Sequence, residues 1–467
     1  MVSCGSRKPV AAELTAGASD PKMDPMAANG EGVARGIVAR LRDRGHQAYL
    51  AGGCVRDRLL GLARPAGDFD VATSARPEEV ERLFGHTIAV GAQFGVILVV
   101  EGDVRVEVAT FRADDAYVDG RHPSSIRFTT PEEDAARRDF TINGMFEDPV
   151  TGEVLDFVGG RRDLERRIVR AIGDPRRRFA EDRLRLIRAV RFAARLGFAV
   201  EPETAAAVRE MAPAIHEVSA ERVGEEVVKI LTEGAARRGF ELASELGLLG
   251  EVLPEVEQMR GVEQGKEFHP EGDVFTHTML ALERIDSSAL RGETLALGVL
   301  LHDVAKRECA ERRDGKITFY GHTERGAAMA REICRRLRRP NAVADRVSWL
   351  VKDHLRLVSA PEMRLSTLKR FLRQDGIDEL LELCRIDAAA SNGNLYYYEF
   401  CLQKLAEIGV ERMKPPPLVS GHDLITLGHR PGPAFKEILD AVEEAQLEGS
   451  VATREQALAL LRERFPP

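Results

Sequence analysis

Two aspartates separated by one residue, in Asp68-Phe69-Asp70, constrain this chain most, because a β-strand places residues i and i+2 on the same face. Glu107 lies in a second predicted strand, Val104 to Phe111, and alternates there with apolar neighbours. Carboxylates on adjacent strands form a cage of hard oxygen ligands that suits Mg²⁺. Two such ions about 4 Å apart can stabilise an in-line phosphoryl displacement. The pattern therefore predicts an α/β domain that carries a Mg²⁺ site.

A glycine pair precedes these carboxylates in the chain. The strand predicted over Gln47 to Ala51 runs into Gly52-Gly53, and a helix is predicted over Val55 to Leu60. Backbone amides at such a turn can face a triphosphate, and Arg56 would lie near it. Together, the glycine pair and the carboxylates predict nucleotidyl transfer chemistry.

Length and composition limit the class of protein. A chain of 467 residues predicts two to four domains. The net charge of −8 argues against a generally basic surface, so any polyanion must meet a local patch. The six cysteines form no CxxC pair, which fits a reducing cytosol and excludes a disulfide framework or a Cys-type zinc site. No apolar run approaches a membrane span of about 20 residues, so we expect a cytoplasmic protein without a membrane partner.

The patterning along the chain divides it into five predicted parts. The first residues are rich in Ala, Gly, Ser and Pro without periodicity; strands and helices then alternate, and from Asp174 onward nearly every segment is an amphipathic helix. Asp174-Pro175 is a helix start, and Gly197 is placed to end that helical stretch. The predicted parts are a disordered leader (1–30), a head (31–172), a helical neck (173–260), a second helical domain (270–408) and a tail (409–467).

An arginine pair opens the motif Arg137-Arg138-Asp139-Phe140-Thr141-Ile142-Asn143. Two adjacent guanidinium groups on a connection back to the sheet can bind phosphate or ribose in a bidentate fashion. Beside a triphosphate site, this interpretation is favoured over a surface charge run.

A second arginine motif lies on the helix predicted from Glu181. Charged residues recur there at every third position, next to an apolar stripe. They are Asp182, Arg185, Arg188 and Arg191. From Arg176 to Arg195 the chain holds eight arginines but only two acids, too few for simple i,i+4 pairing. An aspartate and an arginine one turn apart present an acceptor and several donors. Such a pair can bind the hydrogen-bonding edge of a base without a nucleic-acid template.

These motifs resemble those of the class II tRNA nucleotidyltransferase and bacterial poly(A) polymerase family. The resemblance covers residues 46–233 and rests on GGCVRD at 52–57, DFD at 68–70, RRDFTIN at 137–143, DFVGGRRDL at 156–164, EDRLRLIRAVRF at 181–192 and ERVGEE at 221–226. It implies a nucleotidyltransferase head with a polymerase-β-like mixed sheet and helices. It further implies that the head is followed by an all-α neck that binds nucleotide and RNA, then by an HD helical domain, and finally by a helical tail that contacts tRNA.

The resemblance also implies roles for individual residues. Asp68 and Asp70 would hold Mg²⁺, and Glu107 would help to activate the RNA 3′-hydroxyl. The head residues expected to bind the incoming nucleotide are Gly52, Gly53, Arg56, Asp57, Arg137, Arg138, Asp139 and Asn143. Asp182 and Arg185 would select its base, supported by Arg188 and Arg191. Gly144 stands where members of the family usually have alanine.

The implied reaction uses ATP and CTP and extends the 3′ end of tRNA. The tail from Phe435 is acidic, unlike the basic extension of poly(A) polymerases, which favours tRNA over poly(A) synthesis. CC-adding enzymes that resemble this family lack a flexible segment between the third carboxylate and the RRD motif. Here the segment Asp114 to Thr130, including Asp119-Gly120-Arg121, is present, so the resemblance argues against addition of CC alone. Addition of CCA and of the final A both remain open, with poly(A) polymerase as the nearest alternative. Oligomeric state is also open.

A second constellation lies in the helical half of the chain. His277, His302-Asp303 and Asp387 resemble the motif of an HD-type metal phosphohydrolase, and His322 and His354 are candidates for a second metal position. Imidazole and carboxylate groups suit Mn²⁺, Fe²⁺, Ni²⁺ or Mg²⁺. A further alternative is a nucleotide-signalling phosphohydrolase with a sensor head. The three intact head acids argue against that alternative.

Overall fold

The computed structural model describes residues 25–62, 69–91, 94–114, 126–265, 269–313, 316–409, 413 and 415–466. It divides into two compact units, a head that ends at Gly173 and a helical unit that runs from Asp174, with residues 167–169 belonging to the helical unit. This division falls beside the boundary expected at 172–173. The helical unit includes the predicted neck, second helical domain and tail, and their separation stays a prediction.

The head combines short strands with five α-helices and a 3-10 helix (Thr141–Asn143) among its described residues. The helices are α1 (Pro25–Asp43), α2 (Gly53–Leu59), α3 (Pro77–Leu83), α4 (Pro131–Ala136) and α5 (Gly160–Glu165). The strands are β1 (Ala48–Ala51), β2 (Asp70–Thr73), β3 (Thr87–Gly91), β4 (Val96–Glu101), β5 (Val104–Thr110), β6 (Arg112–Asp114), β7 (Ile126–Phe128), β8 (Met145–Glu147) and β9 (Val154–Asp156). Helix α1 begins inside the predicted leader, and residues 1–24 lie outside the described part of the chain.

Seven of these strands form one mixed sheet in the order β3-β4-β5-β2-β1-β8-β9. Strands β2 and β5 are parallel, and the other neighbours in this sheet are antiparallel. Along β5, Val104, Val106 and Val108 are buried while Arg105 and Glu107 are exposed, as strand periodicity requires. The mixed sheet predicted for the head is confirmed.

The helical unit contains only short strands among its described residues: β10 (Ile168–Val169), β11 (Ala199–Val200), β12 (Glu311–Arg313) and β13 (Lys316–Thr318). Its first helices are α6 (Pro175–Glu181), α7 (Arg185–Leu196), α8 (Pro202–Met211), α9 (Ala220–Thr232), α10 (Ala236–Glu245), α11 (Leu248–Val252) and α12 (Pro254–Glu257). Then come α13 (Val274–Ile285), α14 (Glu293–Leu301), α15 (Lys306–Cys309), α16 (His322–Arg336), α17 (Asn341–Asp353), α18 (Leu365–Leu372), α19 (Ile377–Ala390) and α20 (Tyr396–Ile408). The last three are α21 (Gly421–Thr426), α22 (Ala434–Glu448) and α23 (Arg454–Arg464).

Local signals set several helix ends in this unit. The carboxylate of Asp174 accepts hydrogen bonds from the backbone N–H groups of Arg176 and Arg177, and Pro175 is the first residue of α6. Gly197 ends α7 with a φ of 65°, a left-handed conformation that glycine adopts without strain. The start of α6 and the stop at Gly197 therefore agree with the sequence signals.

Helix α14 is buried from Leu295 to Leu301 and packs within the helical unit. Such an apolar helix places the residues that follow it, beginning with His302, deep inside the unit. The tail has its own apolar cluster, which includes Leu424, Val442 and Leu461. In the described part of the chain, every helix is too short or too polar to span a bilayer.

Candidate functional site

The head sheet brings Asp70 and Glu107 together. In the parallel pairing of β2 with β5, Asp70 is directly opposite Glu107. Residues paired in this way point to the same face of a sheet, and this face of β5 is exposed. Asp68 lies outside the described residues, so its place beside them stays a prediction. The head thus offers at least two neighbouring carboxylates on one open face.

Gly52 lies at the turn between β1 and α2, next to the same face. Its φ is +72°, and an added Cβ would lie 2.9 Å from Nη1 of Arg138 and 3.8 Å from Oδ2 of Asp70. A side chain here would therefore be strained and would crowd the arginine. The glycine lets the backbone at the start of α2, where Gly53 follows, approach both a carboxylate and a guanidinium group.

The arginine pair is held by a residue that the sequence argument missed. The buried carboxylate of Asp134 accepts hydrogen bonds from Arg137 at 2.8 Å and from Arg138 at 3.1 and 3.2 Å. Burial alone would raise the pKa of Asp134, but the charges of Arg138 and Arg137 outweigh it and hold that pKa below its usual value. The signal was in the sequence, because Asp134 precedes the two arginines by three and four residues on a helical turn.

Arg56 and Asp57 belong to a buried network instead of the open face. Arg56 is 1% exposed and donates to Asp57 Oδ1 and to Asn143 Oδ1, both at 2.6 Å. Asn143 in turn donates to Asp139 Oδ1 at 3.0 Å. The expectation that these four residues bind the nucleotide stays a prediction, and their burial also suits them to fixing the chain around Gly53.

The neck departs from the single helix expected from Glu181. Helix α6 ends at Glu181 and α7 begins at Arg185, with Asp182 in an extended conformation (φ −145°) between them. The Asp182 carboxylate accepts from the backbone N–H of Leu184 at 3.2 Å and from Arg222 at 3.1 Å. Because the carboxylate competes for a backbone donor, the helix breaks there. Asp182 therefore does not share a helical stripe with the arginines.

The arginines of the neck have acidic partners, some within their own segment and some on another helix. Arg185 donates to Glu181 at 3.1 Å and to the carbonyl oxygen of Arg178 at 2.8 Å. Arg191 lies 2.9 Å from Glu226, and Arg188 lies 3.9 Å from the same carboxylate. Glu226 is on α9, so pairing between helices supplies the charge that i,i+4 pairing lacked. Because Glu226 lies outside residues 176–195, the count of charges within that segment could not reveal this partner.

The helical unit gathers all six residues predicted for the second constellation. His277 is on α13, His302 and Asp303 follow α14, His322 begins α16, His354 follows α17 and Asp387 is on α19. His277 Nε2 lies 3.2 Å from His302 Nε2 and 3.0 Å from Asp387 Oδ1. Asp303 Oδ2 lies 3.2 Å from His302 Nε2, and its Oδ1 lies 3.6 Å from His322 Nε2 and 3.9 Å from His354 Nε2.

Asp303 therefore stands between two groups of ligand atoms. One group is His277, His302 and Asp303, and the other is Asp303, His322 and His354. Asp303 Oδ1 and His322 Nε2 are buried and have no hydrogen-bond partner among the described residues. Buried polar atoms are rarely left unpaired, so these two fit a divalent cation at this point.

The charges of the cluster also fit a cation. Burial would raise the pKa of Asp303, but His302 and Lys306 hold it well below its usual range. Complete burial, next to His302, lowers the pKa of His354 to about 4, so this imidazole is neutral and can donate a lone pair. Burial would lower the pKa of His277, yet Asp387 and Glu271 raise it to about 9. A metal ion at that nitrogen would displace the proton.

His269 and Glu271 complete the surroundings and were not found from the sequence. Glu271 Oε1 lies 2.7 Å from His277 Nδ1 and 2.9 Å from His269 Nδ1. The six-residue interval between Glu271 and His277 matches no helical period, so no sequence pattern indicated the contact.

Three protein-family models match the chain. They are the poly A polymerase head domain over residues 48–170, the probable RNA and SrmB-binding site of polymerase A over residues 197–259, and the putative tRNA nucleotidyltransferase domain 2 over residues 317–461. The last match overlaps the segment predicted to be an HD-type domain, and the HD assignment remains a prediction.

Individual relatives agree with these matches. A CCA-adding enzyme of Geobacillus stearothermophilus is 34% identical over 92% of this chain and 96% of its own length. One from Streptococcus pneumoniae (strain CGSP14) is 44% identical over 44% of this chain and 51% of its own. The crystal structure of the Bacillus stearothermophilus CCA-adding enzyme in complex with CTP is 29% identical, covers 95% of this chain and 99% of that chain, and has a TM-score of 0.70. The chain is therefore a divalent-metal-dependent nucleotidyltransferase and belongs to the family of CCA-adding enzymes.

Proposed function

We propose that this chain adds the complete CCA sequence to the 3′ end of tRNA, using CTP and ATP. The observation that carries the proposal is the pairing of Asp70 with Glu107 on an open sheet face, with Gly52 and Arg138 beside it. A relative that spans 92% of the chain is a CCA-adding enzyme, and a related crystal structure is of such an enzyme in complex with CTP. We place the enzyme in the cytoplasm with these substrates.

In the proposed reaction, the terminal tRNA 3′-oxygen forms a bond to the α-phosphorus, and the bond to the β-phosphate oxygen breaks to release pyrophosphate. Asp68, Asp70 and Glu107 offer the hard oxygen donors that suit Mg²⁺, which would supply Lewis-acid stabilisation of the phosphate oxygens. Glu107 orients the attacking hydroxyl and accepts its proton. Arg138, fixed by Asp134, binds the phosphates from the side of Gly52.

Base selection is assigned to Asp182 and Arg185. Both side chains are already held before any nucleotide binds, Asp182 by Arg222 and Arg185 by Glu181. A donor and acceptor pair that is fixed in advance discriminates between bases with little loss of conformational entropy. Selection then needs no nucleic-acid template.

The test uses a tRNA that ends at the discriminator base, at C or at CC, with CTP or ATP supplied separately. We expect CTP to be used on the first two ends and ATP on the third. Use of ATP alone, on the CC end only, would limit the activity to the final A. Extension of unstructured RNA by many adenylates would instead identify a poly(A) polymerase.

The base-selecting pair has its own test. Asp182→Ala and Arg185→Ala should each reduce discrimination against UTP by about 5- to 150-fold, from about 1–3 kcal/mol per base contact. The control is Arg177→Ala, whose side chain is 85% exposed on the preceding helix. Unchanged discrimination in both variants would contradict the assignment.

We also propose a second function, a metal-dependent phosphohydrolase at His277, His302, Asp303 and Asp387. Its support is that Asp303 Oδ1 and His322 Nε2 are buried 3.6 Å apart in this cluster and have no hydrogen-bond partner among the described residues. Imidazole and carboxylate ligands suit Mn²⁺, Fe²⁺, Ni²⁺ or Mg²⁺. A bound ion would supply an activated water for attack on a phosphate ester.

The variant His302→Ala with Asp303→Ala separates the two functions. It should lose bound metal and any hydrolysis of 2′,3′-cyclic phosphates and 2′-nucleotides, while nucleotide addition persists because no carboxylate of the head is changed. A wild-type protein that binds neither Mn²⁺ nor Ni²⁺ would contradict the second function and leave the first intact.

A further inference from the structure

The histidine and aspartate cluster of the helical unit contains four histidines, His277, His302, His322 and His354. All four direct Nε2 into the cluster, but different groups hold their Nδ1 atoms. The Nδ1 atoms of His302, His322 and His354 lie 2.8, 2.8 and 2.7 Å from backbone carbonyl oxygens three residues earlier. A carbonyl oxygen only accepts, so Nδ1 of each ring carries the proton, and Nε2 of the neutral ring has the lone pair. His277 Nδ1 contacts Glu271 instead, and no backbone carbonyl oxygen of the described residues.

Position in the helix explains the difference. His302 and His354 follow the last residues of α14 and α17, and His322 is the first residue of α16, so the carbonyl groups near them lie at helix termini. His277 lies within α13, where the carbonyl groups are used by the helix itself. A histidine at this point needs a side-chain acceptor to fix its ring.

Glu271 provides that acceptor. Its carboxylate is 7% exposed, and its Oε1 lies 2.7 Å from His277 Nδ1. His269 Nδ1 contacts the same oxygen at 2.9 Å, which holds the carboxylate from the other side. Glu271 Oε2 is buried without a hydrogen-bond partner among the described residues.

We propose that Glu271 is a positioning residue that fixes the ring and the tautomer of His277, so that Nε2 is available to a metal ion at the His277, His302 and Asp303 group. The inference rests on the second proposed function. A carboxylate behind a histidine also raises the basicity of the ligand nitrogen. We therefore expect the metal position with His277 as a ligand to bind metal more tightly than the position with His322 and His354 as ligands.

His269, Glu271 and His277 could be taken for a metal site themselves, because their ligand atoms also lie close together. The geometry of His277 argues against it. Its Nδ1 faces Glu271 at 2.7 Å, whereas its Nε2 lies 3.0 Å from Asp387 and 3.2 Å from His302. Binding a metal through Nδ1 would leave a proton on Nε2 in the middle of the other ligands.

The test is Mn²⁺ binding to the full-length protein by equilibrium dialysis, together with the visible absorption spectrum after loading with Co²⁺. Glu271→Ala should weaken the tighter site by about 10- to 100-fold and alter the Co²⁺ spectrum. Glu271→Gln keeps an oxygen acceptor for Nδ1–H and should retain more of the affinity. The matched control is Glu263→Gln, a carboxylate of the same segment whose side chain is 73% exposed.

The outcomes distinguish this inference from the function on which it rests. Failure of the wild-type protein to bind Mn²⁺ or Co²⁺ would overturn both. Wild-type binding that Glu271→Ala leaves unchanged would overturn the role of Glu271 alone. Equal losses in Glu271→Ala and Glu271→Gln would also contradict it, since the glutamine retains the acceptor. An altered Co²⁺ spectrum in Glu271→Ala, with an unchanged one in Glu263→Gln, would support it.

Discussion

Replacing Asp134 with asparagine tests how the arginine pair of the head is held. Asp134 Oδ1 accepts from Arg137 Nε at 2.8 Å and from the backbone N–H of Arg112 at 3.2 Å, and its Oδ2 accepts twice from Arg138. Asparagine retains one oxygen and places an amide N–H group where the other oxygen was. Two charge-assisted hydrogen bonds to Arg138 are therefore replaced by a contact between donors.

The magnitude follows from burial. Removing one partner of a buried ion pair costs about 3–5 kcal/mol. The side chains of Arg137 and Arg138 are 20% and 18% exposed, so water recovers part of the loss, and we expect the lower end, about 3 kcal/mol. For a unit of this size, that corresponds to a fall in melting temperature of about 6–12 °C.

Differential scanning calorimetry measures this change, and Glu132→Gln on the same helix is the control because Glu132 is exposed. The control should change stability by less than about 0.5 kcal/mol. Equal melting temperatures for Asp134→Asn and Glu132→Gln would refute the argument. Activity should also fall in Asp134→Asn, because Arg138 loses the contact that fixes it.

The same variant has a pH signature. The folded pKa of Asp134 is lowered, so its contribution to stability is present above the unfolded value of about 3.9 and is lost as pH falls through the folded value. The stability difference between wild type and Asp134→Asn should therefore be full at neutral pH and shrink below about pH 4.

Two further predictions concern packing and thiol reactivity. A Cβ at Gly144 would lie 2.6 Å from Val158 Cγ2, so Gly144→Ala should lower the free energy of unfolding by about 1–3 kcal/mol in urea denaturation. A Cβ at Gly36 in helix α1 would have no described atom within 4 Å, so Gly36→Ala should instead raise the free energy of unfolding by up to about 1 kcal/mol, and the same sign in both variants would contradict this explanation. Burial raises the pKa of the Cys334 thiol to about 12, so iodoacetamide at pH 8 should leave Cys334 unmodified in the folded protein and react with it after unfolding. Mass spectrometry that finds modified Cys334 in the folded protein would refute its burial.

Patterns in the sequence predicted features of single elements, namely the strand face on which a side chain lies and the residues at which a helix begins or ends. Alternation around Glu107 placed it on the exposed face of β5, and the signals at Asp174 and Gly197 marked the start of α6 and the end of α7. The parallel pairing of β2 with β5 could not be derived, because β3 and β4 intervene in the chain and strand order depends on contacts distant in sequence.

Sequence patterning did not reveal the partners of several polar side chains. The three-residue repeat predicted one helix from Glu181 that carries Asp182 and the arginines after it, but the carboxylate of Asp182 accepts a backbone hydrogen bond and breaks the helix. The role of Arg56 at the triphosphate stays a prediction, but its motif did not reveal its partner Asn143, which is far away in sequence. Glu271 contacts His277 through a turn that no period describes. In each case a polar side chain had a partner that local patterning does not reveal.

The central claim is that Asp70 and Glu107 carry out nucleotide addition. The most direct measurement is the single-turnover rate of CTP incorporation into tRNA that ends at the discriminator base, for Asp70→Asn, Glu107→Gln and the control Asp103→Asn. Asp103 is an exposed carboxylate in the turn before β5. We expect both site variants to lose at least about 100-fold in rate while tRNA affinity and the control stay unchanged. A rate in either site variant equal to that of Asp103→Asn would contradict the account.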